Sequence, residues 1–325
     1  MTVSRRRAVV IGALAVLIMV LAVVALGSGD YPLSPAETLQ AFLGDGFAHR
    51  VVTEWRAPRV AAWILFGAAL GVSGSVFQSI TRNPLGSPDV IGLGAGSYTG
   101  ALVAMLVFGA GRTATTLGAL VGGVAAAIIV FALAAGRRGS GLRLILTGVA
   151  VAGMLTSVNT WLLLTARVEV AQAASVWGMG TLTGMRWDLL GAPAVAILAG
   201  VVLVGVCAGP TRTLELGDDL ATALGIRPTR VRWSIGLAGV ILTAAVVSAA
   251  GPIAFVALVA PHLARLLTGA PGFRPVAAGL CGAVVLGAAD VVAQRLIAPA
   301  QLPVGVVTVC VGGVFLLVLL LTRSR

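Results

Sequence analysis

A chain of 325 residues in which 58% of the side chains are hydrophobic and only 10% are charged departs far from the soluble average of about 25% charged, and a mean hydropathy of +1.05 excludes a water-soluble globular protein. All the basic residues are arginine, so neither a Walker-loop lysine nor Schiff-base chemistry at lysine is available, and the chain is not itself a P-loop ATPase. The net charge of +11 comes without a lysine-rich tail or an aromatic-basic platform, which argues against nucleic acid as a partner, and three cysteines and two histidines are too scattered for a metal cage, a disulfide framework or a histidine cluster.

In chain order, the opening "SRRRAVVIGALAVLIMVLAVVALGSGD" reads as an uncleaved first span, because its apolar stretch is longer than a signal-peptide core and lacks an A-x-A site. Further apolar runs predict spans at about 58–80, 90–108, 115–135, 143–165, 192–208, 233–250, 252–268, 276–295 and 304–321, after a first at about 8–27. A span takes about 20 apolar residues as a helix, and the alternating strands of a membrane barrel are missing. The expected fold is all-α: a polytopic membrane bundle of about 10 transmembrane helices in a single permease domain over residues 1–325. The eighth span is the weakest, since Gly251-Pro252 breaks it from the seventh and Pro261-His262 interrupts it. Ten spans put both termini on one side. With that side cytoplasmic, fifteen of the 22 arginines, among them Arg82, Arg137, Arg138, Arg232 and Arg325, fall inside, as the positive-inside rule asks of a multi-pass plasma (inner) membrane protein.

Glycines recur four apart as Gly67 and Gly71, as Gly92, Gly96 and Gly100, and as Gly118 and Gly122, a spacing that lets helix backbones approach closely in lipid. Polar groups within the spans are few: Gln78, Asn159, Asp290 and Gln294. Asp290 stands near the outer end of its span, one turn from Gln294 and close to Arg295, and reads either as a paired carboxylate or as part of a substrate path. Asn159 either lines a polar pathway or hydrogen-bonds a neighbouring helix. Mid-membrane ionisable groups are nearly absent, which disfavours an ion-coupled secondary carrier, and no nucleophile, base and orienting group share a face, which disfavours catalysis. A purely structural membrane scaffold is the third reading.

Outside, Arg56 and Arg59 precede the second span and Arg295 ends the ninth, with Trp55 and Trp63 as interface anchors. Their guanidinium forks either receive acidic residues of an extracytoplasmic partner or reach up to lipid head groups. Between the sixth and seventh spans lies "LELGDDLATALGIRPTR", residues 214–230. Leu216, Leu220 and Leu224 with Ala223 form one stripe, Asp218 and Asp219 favour its amino end, and Gly225 with Pro228 stops it, so the segment predicts a helix of roughly two turns. A helix that short is marginal alone; it either docks a cytoplasmic partner or lies against its own bundle.

The motifs "EWRAPRVAAWILFGAALGVSGSVFQSITRNPLGSPDVIGLGAGSYTGAL", "ELGDDLATALGI", "GPIAFVALVAPHLARLLTG" and "QLPVGVVTVCVGG" resemble the FecCD permeases, the membrane subunits of type II ABC importers, over nearly the whole chain. "VVTEWRAPRV", "FQSITRNPLGSPDV", "NTWLLL" and "LELGDD" are most similar to the ferric-enterobactin branch of that family. The resemblance implies ten helices per subunit, a second FecCD-type permease subunit beside this one, two ABC ATPase subunits carrying the ATP and magnesium, and an extracytoplasmic siderophore-binding protein. This chain is then expected to bind no cofactor or metal and to catalyse nothing itself. Leu216 to Leu220 and Ala223 to Gly225, with Gly217, Asp218 and Asp219, match the family's ATPase-coupling segment. Arg56, Arg59 and Arg295 match positions that face the binding protein, and Gln78, Asn83, Pro84, Asn159, Pro261 and His262 are the pathway or gate candidates. The expected cargo is a ferric siderophore, catecholate in type, with hydroxamate siderophore, haem and cobalamin as alternatives.

Overall fold

A computed structural model of the chain describes residues 3–109, 111–134, 141–298 and 300–323. Arg137, Arg138 and Arg325, assigned above to the cytoplasmic side, lie outside the described residues. The helices are α1 (Val3–Gly27), α2 (Pro35–Leu43), α3 (Phe47–Arg50), α4 (Ala57–Thr81), α5 (Leu93–Phe108), α6 (Arg112–Ala134), α7 (Gly141–Thr165), α8 (Val168–Gly178), α9 (Gly191–Leu214), α10 (Asp218–Ala223), α11 (Pro228–Ala250), α12 (Val256–Thr268), α13 (Pro275–Arg295) and α14 (Val304–Arg323). Among the described residues the only extended pairing is an isolated bridge between Ile297 and Ala300.

The ten predicted spans correspond to α1, α4 to α7, α9 and α11 to α14. Seven of the helices are long and apolar enough to cross a membrane, and Leu93–Phe108, Val256–Thr268 and Val304–Leu319 are shorter apolar helices. At 13 residues α12 reaches about 20 Å at 1.5 Å per residue, too short for a hydrocarbon core of about 30 Å, because residues 251–255 ahead of it are unwound. The sequence reading missed α2, α3 and α8, whose charged and polar residues interrupt the apolar runs. It also began the second span too late: the chain is helical from Phe47, passing through a π-helical turn at Val51–Arg56 in which the Ala57 N–H reaches back to the Val52 carbonyl. Pro58, with no N–H to give the Glu54 carbonyl, favours this wider turn.

Pro261 does not interrupt α12 as expected; the helix continues through it. Proline leaves the carbonyl four residues earlier, at Ala257, without its helical donor. Gly74 of α4 packs directly onto that carbonyl, with no room for a Cβ, and the next carbonyl, Leu258, accepts Gln78 Nε2 at 3.1 Å. The neighbouring helix therefore closes over the carbonyl that Pro261 leaves without a helical donor and bonds to the one beside it.

Helices α4, α11 and α13 form the buried centre, around Trp63, Phe66, Leu70, Leu242 and Leu286, all fully enclosed, so Trp63 is a core residue and not the interface anchor expected; α1, α6, α7 and α9 present broad apolar outer faces. The glycine spacings perform as predicted at two contacts. On α4 a Cβ at Gly67 would meet the Gly282 carbonyl at 2.5 Å, and one at Gly71 would land on the Ala278 carbonyl; between α5 and α6, Gly96 and Gly100 face Gly122 and Gly118 in the same way. Gly92 is the exception: it caps the start of α5 with φ of 83° and takes no part in the α5–α6 contact.

One ion pair fastens the α4–α13 contact. Arg59 donates from Nε and Nη2 to Asp290 at 2.9–3.1 Å and from Nη1 to Gln301 Oε1 at 2.8 Å. Asp290 is fully enclosed and also accepts from Gln294 Nε2 at 2.8 Å, so its paired reading holds, with Arg59 as the partner. Removing one member of such a pair strands the other and costs roughly 3–5 kcal/mol. Asp290→Ala is therefore expected to lower the melting temperature in detergent well beyond the effect of the double variant Arg59→Leu/Asp290→Leu; equal losses in a thermal-shift series would contradict the pairing. Gly100→Ala, which drives a methyl into rigid backbone, is expected to cost about 1–3 kcal/mol, while Gly205→Ala, inside α9 with open space around it, is expected not to lower the same melting curve.

Candidate functional site

At the end of the bundle where α9 meets α11, the polypeptide turns through Gly217, held at φ of 116°, into α10. The helix is shorter than the two turns expected, covering six residues. It stops as the sequence indicates: Gly225 has φ of 79°, its N–H bonds to the Thr222 carbonyl at 2.9 Å, and the Ile226 N–H bonds to the Ala221 carbonyl at 3.0 Å, the pairing of a glycine-closed helix end. Pro228 takes no part in that stop and opens α11 instead. Only Ala221 of α10 is buried; Leu216, Leu220 and Leu224 are 66%, 48% and 61% exposed, and Asp219 and Ala223 are exposed beside them. The leucine ladder faces away from its own bundle.

Asp218 holds this ladder in place. Its Oδ1 accepts from Arg82 Nη2 and from Arg232 Nη2, each at 2.6 Å, so one carboxylate ties α10 to the end of α4 and the start of α11. Arg82 caps α4 in the left-handed region, at φ of 50°, and also donates to the Leu214 carbonyl at 2.9 Å. The hydrogen bond from Arg232, supported by the two arginine charges and opposed by partial burial, holds Asp218 below the usual carboxylate range. Sequence reasoning assigned Asp218 to the helix amino end and missed both arginines.

Beside this anchor is a cavity of about 310 Å³ that brings together Gln78, Asn83, Pro84 and Pro261 with Glu215 and Arg265. Gln78 Oε1 accepts from Arg265 Nη1 at 2.6 Å, and Asn83 folds its side-chain oxygen onto the Leu85 N–H at 2.9 Å, shaping the turn that Pro84 continues. Asn159 lies elsewhere, while His262 stands behind the cavity wall, its Nδ1 3.5 Å from Arg265 Nη2. His262 packs edge-on against Phe315 of α14, ring centres 5.2 Å apart. Asn159 is buried and donates from Nδ2 to the Ala95 carbonyl of α5 at 3.3 Å, the helix-to-helix role that the sequence left open. A further carboxylate went unnoticed: Asp89, in the turns before α5, accepts the Phe255 N–H at 3.2 Å. Phe255 has φ of 68°, so Asp89 receives an amide from the strained end of the unwound 251–255 segment. Its position outside the apolar runs concealed it.

At the opposite end a second cavity, of about 810 Å³, opens between residues 28–31, the helical run from Phe47 to Arg59 and residues 183–188. Arg56 and Arg59 both line it. Arg59 is committed to Asp290, while Arg56 donates to the carbonyls of Leu26 and Tyr31 at 2.7 and 2.6 Å and forms no ion pair among the described residues. Arg295, exposed at the end of α13, is near enough for its charge to oppose that of Arg56. The three arginines thus gather at one end, where Arg56 and Arg295 form no ion pair among the described residues and Asp30 lies near enough to offset part of the Arg56 charge. No group of three or more histidine, cysteine or acidic residues placed to hold a metal occurs among the described residues.

Comparison with known proteins matches this arrangement to one family. The ferric enterobactin transport system permease protein FepG of Escherichia coli K12 is 47% identical over 302 residues, 92% of each chain. The achromobactin transport system permease protein CbrC of Dickeya dadantii is 35% identical over 95% of this chain and 90% of its own. A solved inward-facing structure of an ABC transporter of the metal-chelate type superposes with a TM-score of 0.84 at 28% identity, covering 97% of this chain and 99% of that one. With the model of the FecCD transport family matching residues 17–322, the chain belongs to that family.

Proposed function

We propose that this chain is the membrane permease subunit of an ATP-driven ABC importer that carries a ferric siderophore, of the enterobactin-like catecholate type, into the cytoplasm. The observation that carries the reading is the exposed Leu216, Leu220 and Leu224 ladder, held to α4 and α11 through Asp218 on a chain with no phosphate-binding lysine of its own. An apolar row fixed at a bundle end suits the cleft of a separate ATPase subunit. The likeness to the ferric enterobactin permease over 92% of both chains supports the cargo class.

In this reading the α10 end is cytoplasmic, as are both termini, and two ATPase subunits bind there with their ATP and magnesium. A second FecCD-type permease subunit, different in sequence, completes the pathway in the membrane. The opposite end receives a siderophore-binding protein, whose acidic residues meet the unpaired charges of Arg56 and Arg295, while Arg59 supports them from its bond to Asp290. The chain itself binds no cofactor. The cavity around Gln78, Asn83, Pro84 and Pro261 is the cytoplasmic mouth. Against an ion-coupled carrier stands the engagement of Asp290, the carboxylate within a predicted span, by Arg59 in an ion pair.

Uptake of radio-iron loaded on a catecholate siderophore, in cells lacking the chain and in the same cells with it restored, tests the cargo. ATP-dependent rescue is expected; unchanged uptake would redirect the search to hydroxamate siderophore, haem or cobalamin, and transport in vesicles without any ATPase would overturn the ABC reading. Leu220→Arg is expected to abolish uptake while the protein still reaches the membrane and ATP hydrolysis by the assembled complex no longer responds to cargo. Asp218→Asn, which mimics the protonated acid, is expected to weaken coupling by a lesser amount, since half-exposed ion pairs are each worth about 0.2–1 kcal/mol. Because the folded-state pKa of Asp218 is depressed, its anchoring is complete above the unfolded carboxylate pKa of about 3.9 and is lost only as pH falls below that through the folded value. Coupled ATPase activity of the wild type in proteoliposomes should therefore show no Asp218-dependent step between about pH 5 and 8; a step that vanishes in Asp218→Asn would contradict the assignment.

A further inference from the structure

Helix α2 carries three kinds of surface, although only two are needed to pack a helix on a protein in water. At 100° per residue, Thr38 and Ala41 fall on one stripe, and both are buried. Glu37 and Gln40 share a second, exposed stripe. Between the two, Leu39, Phe42 and Leu43 make a third that is wholly apolar and is 63%, 41% and 85% exposed. The helix is firmly formed: Ser34 and Glu37 close its start with reciprocal bonds of 3.2 and 2.7 Å, and His49 Nδ1 lies 2.9 Å from the Ala41 carbonyl. The apolar stripe is therefore a fixed feature of the surface rather than a frayed end.

The depth of α2 is also fixed. Gly27, the last residue of α1, packs against the Leu33 carbonyl, and a Cβ there would come within 3.7 Å of Thr38 Oγ1, so the buried side of α2 rests on the very end of a membrane-spanning helix. Arg56 ties the same level together through the Leu26 and Tyr31 carbonyls. Tyr31, Phe47 and Trp55 stand edge to face in a row, at 5.5 and 6.1 Å, and line the cavity that also holds Arg56, so this side of the α2–α3 region is the water-facing one. Below, α1 continues with exposed Val16, Met19, Val20, Val23 and Val24, the apolar outer face of the span on whose end α2 rests.

We propose that α2 lies in the plane of the membrane interface, with Leu39, Phe42 and Leu43 among the upper acyl chains of the adjoining lipid and Glu37 and Gln40 toward water. The absence of any lysine or arginine from α2 means that apolar burial and the tether to α1 hold it there, with no contribution from attraction to anionic head groups. By sitting at the boundary, α2 fixes the height of the Arg56 end of α4 relative to the lipid.

Site-directed fluorescence tests this on the full-length chain. In a Cys310→Ser background, since Cys207 and Cys281 are buried, Leu39→Cys, Leu43→Cys and Gln40→Cys are each labelled with a nitrobenzoxadiazole fluorophore. The proteins are reconstituted in phosphatidylcholine vesicles, with either iodide on both sides or a lipid bearing a doxyl group near the head of its acyl chain. Labels at Leu39 and Leu43 are expected to lose most of their fluorescence to the doxyl lipid and little to iodide, and the label at Gln40 to do the reverse. Iodide quenching of all three alike would return the stripe to water. Protection of the leucine positions from both quenchers would mean that a second copy or another protein covers them. Either outcome overturns the proposal.

Discussion

Inside a membrane a main-chain N–H or C=O without a partner has no water to fall back on, and the arrangement of this chain follows from meeting that requirement where its helices are imperfect. The burden falls on α4. Its Gly74 closes over the Ala257 carbonyl freed by Pro261 and its Gln78 bonds to the next one, and its closing residue Arg82 donates to the Leu214 carbonyl at the end of α9. The unwound 251–255 segment, which no helix can satisfy internally, takes Asp89 as its acceptor instead.

Close approach of backbones makes these contacts possible. Apolar side chains gain little by meeting one another rather than lipid, so helix association there depends on packing and polar contacts at short range. Gly67, Gly71 and Gly74 remove the Cβ atoms that would hold α13 and α12 away from α4. With those helices at that distance, Arg59 reaches Asp290 and Gln78 reaches Leu258, so the polar fasteners depend on the glycines rather than the other way round.

The sequence carried the spans, the glycine spacings, the leucine stripe and the Gly225 stop because each depends on residues near one another in the chain, and it left open which way the stripe faces. It concealed what depends on distant chain. Asp218 looks like an acid favouring a helix start until Arg82, 136 residues away, is seen to hold it, and the Arg59–Asp290 pair spans 231 residues. Pro261 misled for a related reason: the local rule that proline breaks a helix omits a neighbour able to cover the freed carbonyl. Helix α2 escaped notice because its apolar face is one stripe of three, too narrow to register as a span and too exposed for a soluble core.

The two ends of the molecule differ in how their charge is used, and the difference follows from α4 joining them. At the α10 end, Arg82 and Arg232 both spend their charge on Asp218, which fixes an apolar surface and leaves the leucines to make the outward contact. At the other end Arg59 is neutralised by Asp290, but Arg56 bonds to carbonyls, which orient a guanidinium without cancelling it. One end therefore offers shape and apolar area, the other offers a held positive charge. Because Arg56, Arg59, Gln78 and Arg82 all stand on one helical run from Phe47 to Thr81 and its cap, a partner that shifts either end acts on a rod already bonded to α9, α11, α12 and α13.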